Sequence, residues 1–121
     1  MSDKKKTGGL GESIAVDYLK KTGYKIIKQN LTVGKAEIDI VSAIGDFTVF
    51  VEVKTRTTAN QLHLHDLVSD KQQKQIRNAA HEYIVAEDLD TEARFDIILI
   101  TIGDKQQIEI EHIDDAFRPT L

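Results

Sequence analysis

The sequence predicts an α/β domain: a mixed β-sheet with helices packed on it, in the chain order α-β-β-β-α-β-β. Three observations support this. Two segments space their apolar residues as helices do, five are strand-like runs rich in β-branched residues, and three of those runs lie between the helices. The chain has 121 residues, 40% of them hydrophobic, which suits one core. Residues 1–9, polar and lysine-rich, read as a flexible tail, and 10–121 as a single domain.

The first helix is expected over residues 11–21. Ile14, Ala15, Tyr18 and Leu19 share one face, Gly23 stops the helix, and Glu12 falls in the first turn, where the helix dipole favours an acid. Residues 24–33 form a strand whose apolar pattern Asn30 interrupts. Residues 36–43 and 47–54 are the next two strands, joined through Gly45-Asp46, a pair suited to a two-residue type II′ turn. Residues 55–68 are polar and irregular and read as a long loop. Ser69 with Gln72 resembles a capping box, opening a helix to about Glu87 that buries Ile76, Ala79, Ala80, Tyr83 and Ile84. Residues 94–102 are an apolar interior strand, and residues 107–113 alternate, as a strand with one wet face does.

Composition excludes several function classes. With no cysteine there are no disulfides, thiolate zinc sites or cysteine nucleophiles, which agrees with a cytoplasmic setting. No run of about 20 apolar residues exists, so no membrane span is expected. The lysine-rich start is not a secretory signal. Gly8, Gly9 and Gly11 do not follow a strand, so they lack the context of a dinucleotide-binding loop. The net charge of −4 weighs mildly against a nucleic-acid partner, although the distribution of charge matters more than its sum.

The turn at Gly45-Asp46 sets a register. If Ile44 pairs with Phe47, Asp39 falls opposite Glu52 and Glu37 opposite Lys54, all four on one face. Directly opposed residues have Cβ atoms roughly 5 Å apart, and like charges so placed repel. Lys54 relieves part of that repulsion, and a divalent cation would relieve more; oxygen ligands suit magnesium or manganese. Ile38, Ile40, Val49, Val51 and Val53 are expected on the opposite face. A three-residue loop would change the parity, and a bulge would restore it. The plain alternative is a solvated strand face with a salt-bridged lysine.

Asp39 followed by Glu52-Val53-Lys54 on the next strand resembles the PD-(D/E)XK nuclease motif. Three stretches in order resemble the YraN-like family, small uncharacterised proteins with the restriction-endonuclease-like fold: Gly8-x-x-Gly11-Glu12-x-x-Ala15-x-x-Tyr18-Leu19 followed by Gly23-Tyr24, Glu37-Ile38-Asp39-Ile40-Val41, and Phe50-Val51-Glu52-Val53-Lys54-Thr55-Arg56. Arg94-Phe95-Asp96 looks like the family's late strand. Where the family usually has glycine before Glu-Ile-Asp, this chain has Ala36, with Gly34 two places earlier.

The resemblance implies a metal-dependent endonuclease acting on DNA, branched or damaged forms among its substrates. Asp39, Glu52 and the carbonyl of Val53 would hold Mg2+ or Mn2+, and Lys54 would act at the reacting phosphate. Glu12 fits the extra acid of the Holliday-junction-resolvase branch. Many nucleases of this fold act as homodimers, because two strands require two cuts. The competing readings are a nucleic-acid-binding module with a vestigial site and a protein-interaction domain using the 55–68 loop. Lys35 and Arg56 are candidate phosphate contacts. Lys71 and Lys74, recurring with Arg77 along the second helix, are either further backbone contacts or a solvated face. His63 and His65 lack an evident third metal ligand and read as part of a polar loop. Tyr18, Tyr83 and Phe95 read as core residues, and His81 and His112 carry no assigned role.

Overall fold

The computed structural model describes residues 2–57 and 67–119; the His63 and His65 loop lies outside them. Its described elements are α1 (Ser2–Lys21), β1 (Lys25–Val33), β2 (Ala36–Ile44), β3 (Phe47–Arg56), α2 (Asp70–Ala86), β4 (Glu92–Ile102), a 3-10 turn at Asp104–Gln106 and β5 (Ile108–Phe117). The order is the expected one. The strands form one five-stranded sheet in sequence order, with β3–β4 parallel and the other neighbours antiparallel.

Local chemistry sets the boundaries. At the end of α1 the Tyr24 N–H donates to the Leu19 carbonyl (2.9 Å) and the Gly23 N–H to that of Lys20 (3.2 Å). This is a Schellman closure, and it needs the left-handed backbone that Gly23 adopts, φ 96°. The start of α1 differs from expectation: the helix begins at Ser2, within the stretch read as a tail. Glu12 therefore lies in mid-helix, and a dipole effect confined to the first turn does not account for it. Ser69 caps α2, its hydroxyl accepting from the Gln72 N–H (3.2 Å). Gly45 is left-handed (φ 55°) and Ile44 pairs with Phe47, as a two-residue II′ turn requires. Gly34 (φ 60°) and Lys35 turn the β1–β2 hairpin, with Val33 pairing with Ala36 across it.

The sheet buries a cluster on each face. Ala15, Val16 and Leu19 of α1 lie on Ile40, Val49, Val51, Ile98 and Ile100. Ile76, Ala79 and Ala80 of α2 belong to the other cluster, with Ile38, Val41, Phe50, Phe95 and Leu99. Each such buried aliphatic or aromatic side chain contributes roughly 1.5–3 kcal/mol by leaving water. Phe50 sits in the second cluster, edge-on to Tyr83 and stacked on Phe95 at 5.6 Å between ring centres, which places it under α2. α1 also comes close to β3: a Cβ on Gly11 would stand 2.0 Å from the Thr55 hydroxyl oxygen, so only glycine permits this approach.

One expectation fails. Ile38 does not share a face with Ile40, Val49, Val51 and Val53; it packs on the α2 side, whereas they pack on the α1 side. The β2–β3 ladder stops at Ile40–Val51. Beyond it the strands separate, the Asp39 side chain turns into the gap, and β2 twists so that Ile38 and Ile40 no longer face alike.

Candidate functional site

Asp39 and Glu52 take over as acceptors where the ladder ends. The Val53 N–H donates to Asp39 Oδ2 at 2.8 Å, and the Asp39 N–H donates to the Glu52 carboxylate. The expected Asp39–Glu52 juxtaposition is thus present as side chain to backbone contacts rather than as a ladder pair. Two carboxylates meet at the mouth of a splayed hairpin, held by backbone donors that the sheet leaves unused.

The electrostatics are strained. Glu52 is only 6% exposed, and its Oε1 is buried with no hydrogen-bond partner among the described residues. Burial first, then repulsion from Asp39, pushes its carboxyl up to about 8, against the opposing pull of Lys54. Asp39 is also raised, chiefly by burial, although the Val53 N–H and the Lys54 ammonium draw it down and Glu37 pushes it up. Glu12, on α1, feels the charge of the same acids. Its carboxyl is raised by partial burial and by the charges of Asp39 and Glu37, and lowered by a hydrogen bond from the Asn30 side chain. Asp39, Glu52 and Lys54 thus act on one another electrostatically, with Glu37 contributing to both acids, and Glu12 feels Asp39 and Glu37.

The donor set is oxygen alone, from a pair of carboxylates, one with an orphaned lone-pair site. Such a set fits a hard divalent cation that keeps most of its own water, as magnesium does. Among the described residues, no group of three or more His, Cys or Asp/Glu side chains is arranged around one metal position. Asp39 and Glu52 would hold the cation, with a main-chain carbonyl such as that of Val53, water and substrate oxygens filling the remaining places.

The basic candidates lie on other elements or farther along β3. Lys35 is exposed at the β1–β2 turn, on the wall of a cavity of about 220 Å³ shared with Gln75, Asn78 and Glu82 of α2. Lys71 and Lys74 are exposed on the first turns of α2. Arg56 ends β3, donates through Nε to the Thr101 hydroxyl (3.0 Å) and lines a groove with Glu109 and Glu111.

Sequence reasoning missed a second polar centre. Asp96, 1% exposed, accepts from Arg94 Nε (2.9 Å) and Nη2 (2.7 Å), from the Asp115 N–H (3.1 Å) and from His112 Nε2 (2.7 Å). An ionised carboxylate only accepts, so His112 donates to it from Nε2, and the ring's Nδ1 shares a hydrogen bond with the Tyr18 hydroxyl (3.0 Å). Arg94 Nη2 also donates to the Tyr24 hydroxyl (2.6 Å). The network ties the end of α1 to β4 and β5. Arg94 and Asp96, two residues apart on one strand, share a face, and that spacing was the available signal.

An α/β domain whose five-stranded sheet carries a buried glutamate beside a partly buried aspartate is the class that fold and site define. Within it, the chain belongs to the UPF0102 (YraN-like) family: the model described as Uncharacterised protein family UPF0102 matches residues 11–100, a stretch that holds Glu12, Asp39, Glu52 and Lys54. A UPF0102 protein of Flavobacterium psychrophilum is 38% identical over 117 residues, covering 97% of this chain and 98% of its own length. One of Christiangramia forsetii is 41% identical over 117 residues, at 97% and 98% coverage. One of Geobacter metallireducens is 44% identical over 114 residues, at 93% of each chain. These names state a family and no activity, so the reaction has to be argued from the site.

Proposed function

We propose that the protein is a metal-dependent endonuclease that hydrolyses phosphodiester bonds in DNA, with Asp39 and Glu52 as the carboxylate pair that binds Mg2+ or Mn2+. The observation that carries this reading is Glu52: a buried carboxylate with an unpartnered oxygen, set against Asp39 and next but one to Lys54. A structural acid would be paired in full or moved to solvent, because an uncompensated buried charge costs several kcal/mol. The resemblance of Asp39 and Glu52-Val53-Lys54 to the PD-(D/E)XK motif supports the same reading and supplies the substrate class.

A cation held by Asp39 and Glu52 would supply Lewis acidity to the scissile phosphate and to a water at the site. The residues supply the rest. Asp39, held by the Val53 N–H, and Glu52 would supply the carboxylate oxygens for the cation. Lys54 brings an ammonium to where negative charge develops. Glu12 offers an acceptor for the proton of an incoming water. Arg56, Lys35, Lys71 and Lys74 are candidate contacts to the nucleic-acid backbone, which would make binding salt-dependent.

Calorimetry with manganese is expected to show binding to the wild type and its loss in Asp39→Ala and Glu52→Ala; equal binding by all three would remove the metal site. With branched, nicked and single-stranded DNA, cleavage in manganese is expected to fall at least about 100-fold in Lys54→Ala, the scale seen when one charge-stabilising donor is removed. Metal binding without cleavage of any of these would favour a non-catalytic binding module.

A further inference from the structure

Lys54, Leu99 and Glu111 stand in one cross-strand row of the sheet, and Arg56, Thr101 and Glu109 in the next. Directly paired residues point the same way, and side chains alternate along each strand. Phe50 and Leu99 lie in the α2-side cluster, whereas Val49, Val51, Ile98 and Ile100 lie on the α1 side. Both rows therefore face the α2 side, in line with Glu52. Leu99 and Glu111 of the first row and all three members of the second line a cavity of about 480 Å³, with Ile110 beside them. That volume is within the range of small-molecule pockets, roughly 300–1,000 Å³. The cavity thus begins one strand over from Lys54, about 5 Å across the ladder, on the face that carries Glu52.

Its lining does not suit a phosphate. Glu109 and Glu111 are exposed there, and two carboxylates repel an anion. They accept hydrogen bonds and give none. Arg56 donates through Nε to the Thr101 hydroxyl (3.0 Å), which holds its guanidinium against β4. A guanidinium plane stacks on an unpaired base, and a glutamate accepts from the exocyclic amine of cytosine. Leu99 and Ile110 add apolar surface. A base in a duplex cannot use this lining, because its faces are stacked and its amine is already paired.

We propose that this cavity binds an unpaired, amine-bearing nucleobase of the substrate strand, next to the phosphodiester on which Asp39, Glu52 and Lys54 act. The preferred substrate is then single-stranded at that point, and Arg56 meets a base instead of the backbone. The reaction rests on the nuclease reading; the binding does not.

Fluorescence anisotropy in chelator, where nothing is cut, separates the two. The wild type is expected to bind a short oligo-dC about 10-fold more tightly than oligo-dT, which lacks the amine; that is the lower end of what one base contact discriminates. It should also prefer oligo-dC to a duplex. Glu109→Thr and Glu111→Thr, both at exposed positions, should abolish the preference by weakening oligo-dC. If the glutamates only repel the backbone, the same variants would tighten both oligonucleotides, because each removes a negative charge. That result, or equal wild-type affinity for oligo-dC and oligo-dT, would overturn the proposal. So would binding of free deoxycytidine, or of a lysine-rich peptide, with no binding of either strand. Cleavage is read separately: manganese-dependent cutting with no base preference keeps the nuclease reading and removes this one, and preference without cutting does the reverse.

Discussion

Replacing Glu52 with glutamine is expected to make the metal-free protein more stable at about pH 8, by on the order of 3 kcal/mol. In the folded chain burial and the Asp39 charge hold the Glu52 carboxyl up near 8, while the unfolded chain returns it to its ordinary value of 4.5. Below 4.5 both states are protonated and the group costs nothing. Between 4.5 and about 8 the unfolded state gives up its proton first, so the wild type loses stability as pH rises, and the loss levels off above the folded value. Each unit of difference is worth about 1.4 kcal/mol, and the figure above is discounted because Asp39 shares the repulsion. Glutamine keeps an oxygen for the Asp39 N–H and removes the charge. Urea unfolding in chelator from about pH 4 to pH 9 should show the two proteins converging at the acid end and separating at the alkaline end. A glutamine variant no more stable at the alkaline end would refute the account. Added manganese should reverse the ranking, because a ligand that binds only the folded wild type stabilises it in proportion to its concentration over Kd.

The second large effect lies at the other polar centre. Asp96→Ala is expected to cost about 3–5 kcal/mol, the range for stripping one member from a buried ion pair. The Arg94 guanidinium, the His112 ring and the Asp115 N–H would lose a common acceptor at once. Burial alone would raise the Asp96 carboxyl. The hydrogen bonds from His112, Arg94 and the Asp115 N–H, with the Arg94 charge, outweigh it and hold the carboxyl below its ordinary 3.8. Its contribution is therefore complete above about 3.8 and is lost as pH falls through the lower folded value. Thermal unfolding at neutral pH would measure the loss; a Tm unchanged by the substitution would show that the network is ornamental.

Much of the fold was legible because it rests on short-range rules. Apolar and β-branched runs marked the strands, with clean alternation in the last of them, Gly45-Asp46 marked the turn, and Ser69 and Gly23 marked helix ends. The pairing of Asp39 with Glu52 followed from that turn alone. What could not be read depends on where strands stop cooperating. Nothing local says that the β2–β3 ladder ends at Ile40–Val51, so the switch of Ile38 to the opposite face was invisible. Glu12 was misplaced in a first turn because three glycines in residues 8–11 look like a breaker, whereas Gly11 serves a close approach to Thr55. The Asp96 network joins α1 and the Tyr24 that follows it to β4 and β5, and residues so far apart in sequence leave no periodic trace.

The parallel pairing of β3 with β4 has a consequence in time. The β2–β3 hairpin closes through two residues, and hairpins form in about 1–10 μs. The β3–β4 contact waits for the chain between Arg56 and Glu92 to travel out and back, a non-local step that is slow by comparison. Asp39 and Glu52 thus meet while still hydrated, where their repulsion is weak, and the penalty arrives late, as α2 and β4 exclude water. Relief of that penalty by Glu52→Gln should slow unfolding more than it speeds folding. A stopped-flow chevron whose folding limb moves instead would place the desolvation of the acids before the rate-limiting barrier.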